Sequence, residues 1–159
     1  MVTNRRILLS EIPTGKLTQE HFTQDEIELT SPGEDEVLVR TLILSQDAAN
    51  RAWMQGATYR SALSSGQVMS SGGIAEVVES NHKHFSVGQI VSGDLGWQEY
   101  AVLPGHQVTL VKDHDGPLSH SLSLLGVAGL TAYHGLINVP GIHAGEVLLV
   151  SAAGGSVGS

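Results

Sequence analysis

Between Arg5 and Leu103 apolar residues come in short runs, some alternating with polar ones, and each run is closed by a turn signal. Alternation with a period of two marks a strand with one buried face. It predicts strands at Arg5–Leu9, Phe22–Glu28, Glu36–Leu44, Gly72–Glu79, Gln89–Ser92 and Gln98–Leu103, with Pro32-Gly33 and Ser86-Val87-Gly88 as punctuation. Short strands spaced this way predict an all-β barrel or sandwich. The run Glu36–Leu44 alternates first and is then wholly apolar, which predicts one exposed end and one buried end. It stops at Ser45-Gln46-Asp47, where Ser45 is placed to cap a short helix running through Arg51. No internal repeat of fixed period is present.

After Pro117 the spacing changes. Leu118–Leu125 and Leu130–Ile137 carry apolar residues at near-helical intervals, interrupted by Gly126 and Gly129, and predict two short helices. A loop follows over Asn138–Gly145. Glu146–Ser151 is then a compact, β-branched run of the length of a buried strand. The expected organisation is a β-barrel domain over residues 1–117, a helical connection over 118–145, and the start of a second domain over 146–159.

Directly after that last strand comes Ala152-Ala153-Gly154-Gly155-Ser156-Val157-Gly158-Ser159. It is a variant of the dinucleotide fingerprint, with Ala153 in the first glycine position and Gly155 and Gly158 in the other two. The middle glycine lets backbone approach a pyrophosphate, and the last allows a helix to pack close to a strand. Ala153, Gly154, Gly155, Ser156, Val157 and Gly158 are therefore candidate cofactor residues. The alternative is a flexible glycine-rich tail after the last strand of the β domain. A buried parallel strand needs a neighbour and a long crossover, so the segment reads as the beginning of a truncated nucleotide-binding domain.

Composition narrows the chemistry. Aromatic residues make up 4% of the chain, so a core here is built from Val, Leu, Ile and Ala. Sixteen acidic against eight basic side chains, a formal charge of −8, argue against nucleic acid as a partner. With no cysteine, disulfides and thiolate-ligated zinc are excluded. Of the eight histidines, His82 and His84 fall in a polar turn, while His106, His114, His120, His134 and His143 lack ligand spacing. No metal is expected, and His134 is read as a partly buried packing residue. No stretch approaches the roughly 20 apolar residues of a membrane helix, and the first residues do not form a signal peptide. A soluble, cytoplasmic protein is the expectation. Asp47 and Arg51 are spaced to pair on the short helix. Trp97 is expected to fill one end of the barrel, and Trp53 and Tyr59 to line a substrate mouth.

Several blocks occur together in one order: Asn4-Arg5-Arg6, Leu44-Ser45-Gln46-Asp47 with Arg51 and Met54, Gly66-Gln67-Val68-Met69 with Gly72-Gly73, and Val78-Glu79-Ser80-Asn81-His82 with Phe85 and Gly88. Gly96-Trp97-Gln98-Glu99-Tyr100-Ala101-Val102 and Gly129-Leu130-Thr131-Ala132-Tyr133 complete the set. From Asn4 to Ser159 the chain resembles the medium-chain dehydrogenase/reductase superfamily, most closely its zinc-free prostaglandin reductase and alkenal double-bond reductase branch.

That resemblance implies a mainly β fold: a GroES-like β-barrel catalytic domain with short helices, followed by the first strand and glycine-rich turn of a Rossmann domain. It implies NADPH as cofactor, no zinc, and an oxidoreductase that reduces the carbon-carbon double bond of α,β-unsaturated aldehydes or ketones by hydride transfer. Quinone reduction is the competing activity within the superfamily, and a free-standing GroES-like binding module without catalysis is the alternative outside it. The expected partners are a small-molecule enone, enal or quinone and, for the complete protein, a second copy in a homodimer. The 159 residues alone are expected to be inactive, to bind nucleotide weakly and to self-associate.

By position, Thr131 with Val127 matches the family's contact to the nicotinamide end. The simpler role for Thr131 is a helix hydroxyl bonded back to the preceding turn. The expected substrate pocket is Ala49, Asn50, Arg51, Trp53 and Tyr59. Here the chain departs from its family, which often reads Asp-Pro-Tyr-Met-Arg where this sequence has Asp47-Ala48-Ala49-Asn50-Arg51. Ala49 in place of a tyrosine predicts a larger or reshaped pocket without that phenol, and Val127 stands where some relatives carry methionine.

Overall fold

The computed structural model describes residues 1–113 and 115–159, so the spacing argument for His114 lies outside the described residues. The chain divides into two compact units, Met1–Lys112 and Asp113–Ser159.

The first unit is built on antiparallel strands. β1 (Val2–Leu9) and β2 (Phe22–Leu29) form a hairpin pair. β3 (Glu36–Leu44), β4 (Gly72–Ser80), β5 (Ile90–Asp94), β6 (Tyr100–Pro104) and β7 (Val108–Leu110) form a five-stranded sheet in the order β6-β3-β4-β5-β7. β1 then closes the curl of that sheet. Its backbone exchanges hydrogen bonds with Trp97 and Glu99 over Arg5–Ile7 and with Gln67 and Met69 over Ile7–Leu9, among them Ile7 N–H to Trp97 O at 2.8 Å and Leu9 N–H to Gln67 O at 2.9 Å. The result is a curled, GroES-like half-barrel.

Two clusters fill it. Val37, Val39, Ala75, Val77, Val91, Leu95, Ala101 and Val108 pack on the inner face of the large sheet. Leu9, Trp53, Met54, Leu63 and Met69 form a second cluster under β1, against which Ile7, Phe22, Ala49 and Trp97 pack. The aliphatic core follows from the scarcity of aromatic residues.

All six predicted strands are present, with ends that shift by up to three residues, and β7 adds a strand too short to read from its pattern. β3 is buried at the end opposite to the expected one. Val37, Leu38 and Val39 are buried, whereas Leu42 is 41% exposed. Val37 and Val39 belong to the cluster on the inner face of the sheet, while Leu44 packs against it only in part. The close crossing of β3 and β4 is made possible by Gly73, where a Cβ would lie 2.6 Å from the Ile43 carbonyl oxygen.

In the second unit the described helices are short. A 3-10 turn covers Leu118–Ser121, and α2, which follows α1 (Ala48–Trp53) of the first unit in chain order, spans Val127–Tyr133 and is continued by a π turn over His134–Asn138. Gly126 is the N-cap of α2 in extended conformation, as an interruption there requires. Gly129 is not a break: it lies inside α2, and a Cβ on it would overlap the Leu124 carbonyl. His134 is exposed rather than partly buried. The expected strand at Glu146–Ser151 is not formed in this structure. Val147 is 98% and Leu149 94% exposed, and among the described residues no strand lies beside the segment. A parallel strand takes both its hydrogen bonds and its cover from neighbours, and without them a β-branched run stays irregular. Among the described residues no helix is long and apolar enough to cross a membrane.

Candidate functional site

The expected pocket residues sit on and after α1 (Ala48–Trp53) in the first unit. The cap of this helix is Asp47, not Ser45. Asp47 Oδ1 accepts from Ala49 N–H at 2.7 Å and Asn50 Oδ1 accepts from Asp47 N–H at 2.8 Å, a reciprocal capping box. Ser45 is still in the ladder, its N–H donating to Gly72 O at 2.9 Å. With its carboxylate engaged at the cap, Asp47 makes no pair with Arg51. Arg51 instead donates to Pro13 O at 3.1 Å and Gly15 O at 2.9 Å, pinning the loop after β1.

Asn50 is buried and donates through Nδ2 to Ser70 O at 2.8 Å, fixing α1 to the chain entering β4. Ala49 is half-buried against the second cluster, and Trp53 lies within it. Tyr59 is 83% exposed, with its ring edge-on to Trp53 at 6.1 Å between centroids. Sequence reasoning did not single out its neighbour Arg60. That guanidinium lies 4.5 Å above the Trp53 ring and pairs with Asp94.

A concavity of about 350 Å³ also opens on the first unit, lined by Arg5, Arg6, Ile7, Gln46, Trp97 and Glu99 among others. None of Ala49, Asn50, Arg51, Trp53 or Tyr59 lines it. Trp97 packs on Phe22 at 5.5 Å between ring centroids, and its indole Nε1 is buried without a partner among the described residues. The two arginines are neutralised. Arg5 pairs with Glu99, and Arg6 meets Asp25 through Nε at 2.9 Å and Nη2 at 2.5 Å. These hydrogen bonds, with the arginine charge behind them, hold the Asp25 and Glu99 carboxyls below their ordinary range and push both guanidinium groups further up.

The proposed cofactor residues are in the second unit. Val127 opens α2 and is 81% exposed; Thr131, one turn on, is exposed and donates its hydroxyl to Val127 O at 2.6 Å. Ala153–Gly158 form turns that are exposed up to Val157, with Gly155 N–H bonded to Ala152 O at 2.8 Å and Ser159 N–H to Gly155 O at 3.1 Å. At Gly158 a Cβ would come within 2.5 Å of Ala152 O, so this position excludes a side chain. Gly154 has no atom within 4 Å of where a Cβ would stand, which leaves its backbone open to approach. Among the described residues no group of His, Asp and Glu is arranged to hold a metal ion.

A GroES-like half-barrel followed by a helical connection and a glycine turn defines the front portion of a medium-chain dehydrogenase/reductase. Residues 5–111 match the model of the N-terminal domain of oxidoreductase, and the chain belongs to that family. It is 40% identical to the NADPH-dependent curcumin reductase of Escherichia coli (strain K12), over 98% of this chain and 46% of that one. To the 2-alkenal reductase (NADP(+)-dependent) of Nicotiana tabacum the identity is 34%, over 99% and 48%. The crystal structure of CurA from Vibrio vulnificus in complex with NADPH superposes with a TM-score of 0.85 at 34% identity, over 97% of this chain and 46% of that one. The chain thus spans about half the length of the curated relatives it matches.

Proposed function

We propose that this chain is the substrate-side portion of an NADPH-dependent reductase, and that the protein containing it reduces the carbon-carbon double bond of α,β-unsaturated aldehydes or ketones. The observation that carries the reading is the 40% identity to an NADPH-dependent curcumin reductase, sustained over 98% of the chain.

That turn suits a pyrophosphate. A phosphate group needs backbone N–H groups it can reach without a side chain in the way, and Gly154 offers such an approach while Gly158 keeps the turn tight. NADPH, when bound, supplies the hydride. Ala153, Gly154, Gly155, Ser156, Val157 and Gly158 would hold its phosphates. Thr131, with Val127, would meet the nicotinamide end; its hydroxyl proton is engaged by Val127 O, which leaves the oxygen lone pairs to accept from an amide. Ala49, Trp53 and Tyr59 form the substrate wall, and Asn50 and Arg51 support it from behind through their bonds to Ser70, Pro13 and Gly15. Substrate carbonyl polarisation and exclusion of water complete the task. No zinc takes part.

The test is NADPH oxidation by the purified protein that contains this chain, with a 2-alkenal, curcumin and a benzoquinone as alternative acceptors, before and after treatment with a chelator. Turnover of the alkenal and of curcumin, unaffected by chelation, is expected. Turnover of the quinone alone overturns the substrate class, and loss of activity on chelation overturns the metal-free mechanism.

A further inference from the structure

Met54 and Leu63 are buried, but the segment between them, residues 55–62, contains no buried side chain. Its ends are tied by backbone: Gln55 N–H donates to Ala52 O at 3.0 Å and Leu63 N–H to Trp53 O at 2.8 Å. Its middle is held by side chains of two adjacent residues. Tyr59 rests edge-on against Trp53, and Arg60 lies over the same indole while its Nη2 donates to the carboxylate of Asp94, the last residue of β5. The Arg60 contact reaches across to the large sheet. A loop with no fully buried side chain has little besides such tethers to offset its conformational entropy.

We propose that Arg60 and Asp94 are positioning residues for substrate. Their ion pair, stacked on Trp53, clamps the 55–62 loop so that the Tyr59 phenol is presented at a fixed place on the pocket wall. The inference rests on the assignment of Trp53 and Tyr59 to the substrate wall. Arginine suits the task because its planar guanidinium stacks on an indole and meets a carboxylate at once, whereas a lysine ammonium supplies the charge with a poorer stack. The two side chains are 30% and 46% exposed, so salt weakens the clamp without unfolding the barrel.

Two measurements test it. Asp94→Asn keeps Arg60 as a trypsin site but removes the ion pair, and cleavage between Arg60 and Ser61 should accelerate about three- to tenfold, the range that loss of one exposed ion pair and part of a cation–π contact allows. The melting temperature, measured in parallel, identifies any part due to global unfolding. Unchanged cleavage overturns the clamp. In the protein that contains this chain, Arg60→Ala and Asp94→Asn should each raise KM for a 2-alkenal about three- to tenfold with kcat within about twofold, and Arg60→Lys should recover part of the loss. Faster cleavage with KM unchanged overturns the positioning role, as does a fall in kcat with KM constant. If the unmodified protein reduced no alkenal or enone, the parent assignment would fall instead, the substrate-positioning role would fall with it, and the cleavage result would still decide whether the loop is clamped.

Discussion

Asn4 is the polar side chain on which the closure of the half-barrel most depends. It is fully buried in β1; its Nδ2 donates to Gln98 Oε1 at 3.0 Å and its Oδ1 accepts from Tyr100 N–H at 2.9 Å. Gln98 passes the connection on to Leu95 O at 2.7 Å. Asn4→Ala strands the Tyr100 N–H, and an unsatisfied buried donor costs about 1–3 kcal/mol. Gln98 is only half-buried and can turn its oxygen towards water, so that side adds about 0.5–1 kcal/mol. With a small cavity, the expected loss is about 2–4 kcal/mol. Both tryptophans, Trp53 and Trp97, lie in the first unit, so their fluorescence reports its unfolding alone. For a urea slope of about 2 kcal/mol/M, the midpoint should fall by about 1–2 M. Asn4→Leu restores the volume without the hydrogen bonds and should lose nearly as much. A leucine variant with an unchanged midpoint would refute the reasoning, because burial alone would then account for the position.

Further outcomes follow from other contacts. The hydrogen bond from Arg6 holds the Asp25 carboxyl low, so the pair's contribution is fully present above the ordinary carboxyl value and is lost as pH falls through the depressed one; Asp25→Asn should flatten the stability profile below about pH 4, measured as midpoint against pH. Gly73→Ala drives a Cβ against the Ile43 carbonyl and Leu95 and should cost about 2–3 kcal/mol, visible in the same unfolding assay. In the protein that contains this chain, Gly155→Val should weaken NADPH binding about tenfold or more by titration calorimetry, while the half-barrel melts as before. Residues 1–159 alone should show no NADPH oxidation with any enal, and micromolar NADPH affinity for that piece would contradict the expectation.

What was legible in the sequence was what neighbouring residues decide. Alternation placed the strands because side chains on one face of a strand meet one environment. Glu36–Leu44 was bounded to the residue, yet its buried and exposed ends were exchanged, since which end is covered depends on the side chains that distant strands bring against it. The candidate pocket was legible as a segment and not as a set of orientations. Arg60, the residue that ties its loop to the sheet, had no signal beyond its place after Tyr59, because Asp94 comes from a strand 34 positions on.

The misplaced Asp47–Arg51 pair shows that magnitudes already available from sequence can settle such a choice. An exposed pair spaced by four is worth about 0.3–0.5 kcal/mol, whereas an aspartate at an N-cap is worth about 1 kcal/mol. In a helix as short as Ala48–Trp53 the orphan N–H groups are a large share of the backbone, so the cap takes the carboxylate and Arg51 is left to find carbonyls at Pro13 and Gly15. Glu146–Ser151 is the opposite case. Its β-branched pattern is sound as a local signal, but a parallel strand exists only as a member of a sheet, and no local magnitude substitutes for the neighbours that would bury Val147 and Leu149. The same residues should therefore become protected from hydrogen exchange in the protein that contains this chain if the nucleotide-binding fold is completed there. Rapid exchange of Val147–Val150 in that protein, with the half-barrel protected, would count against both the strand assignment and the cofactor turn that depends on it.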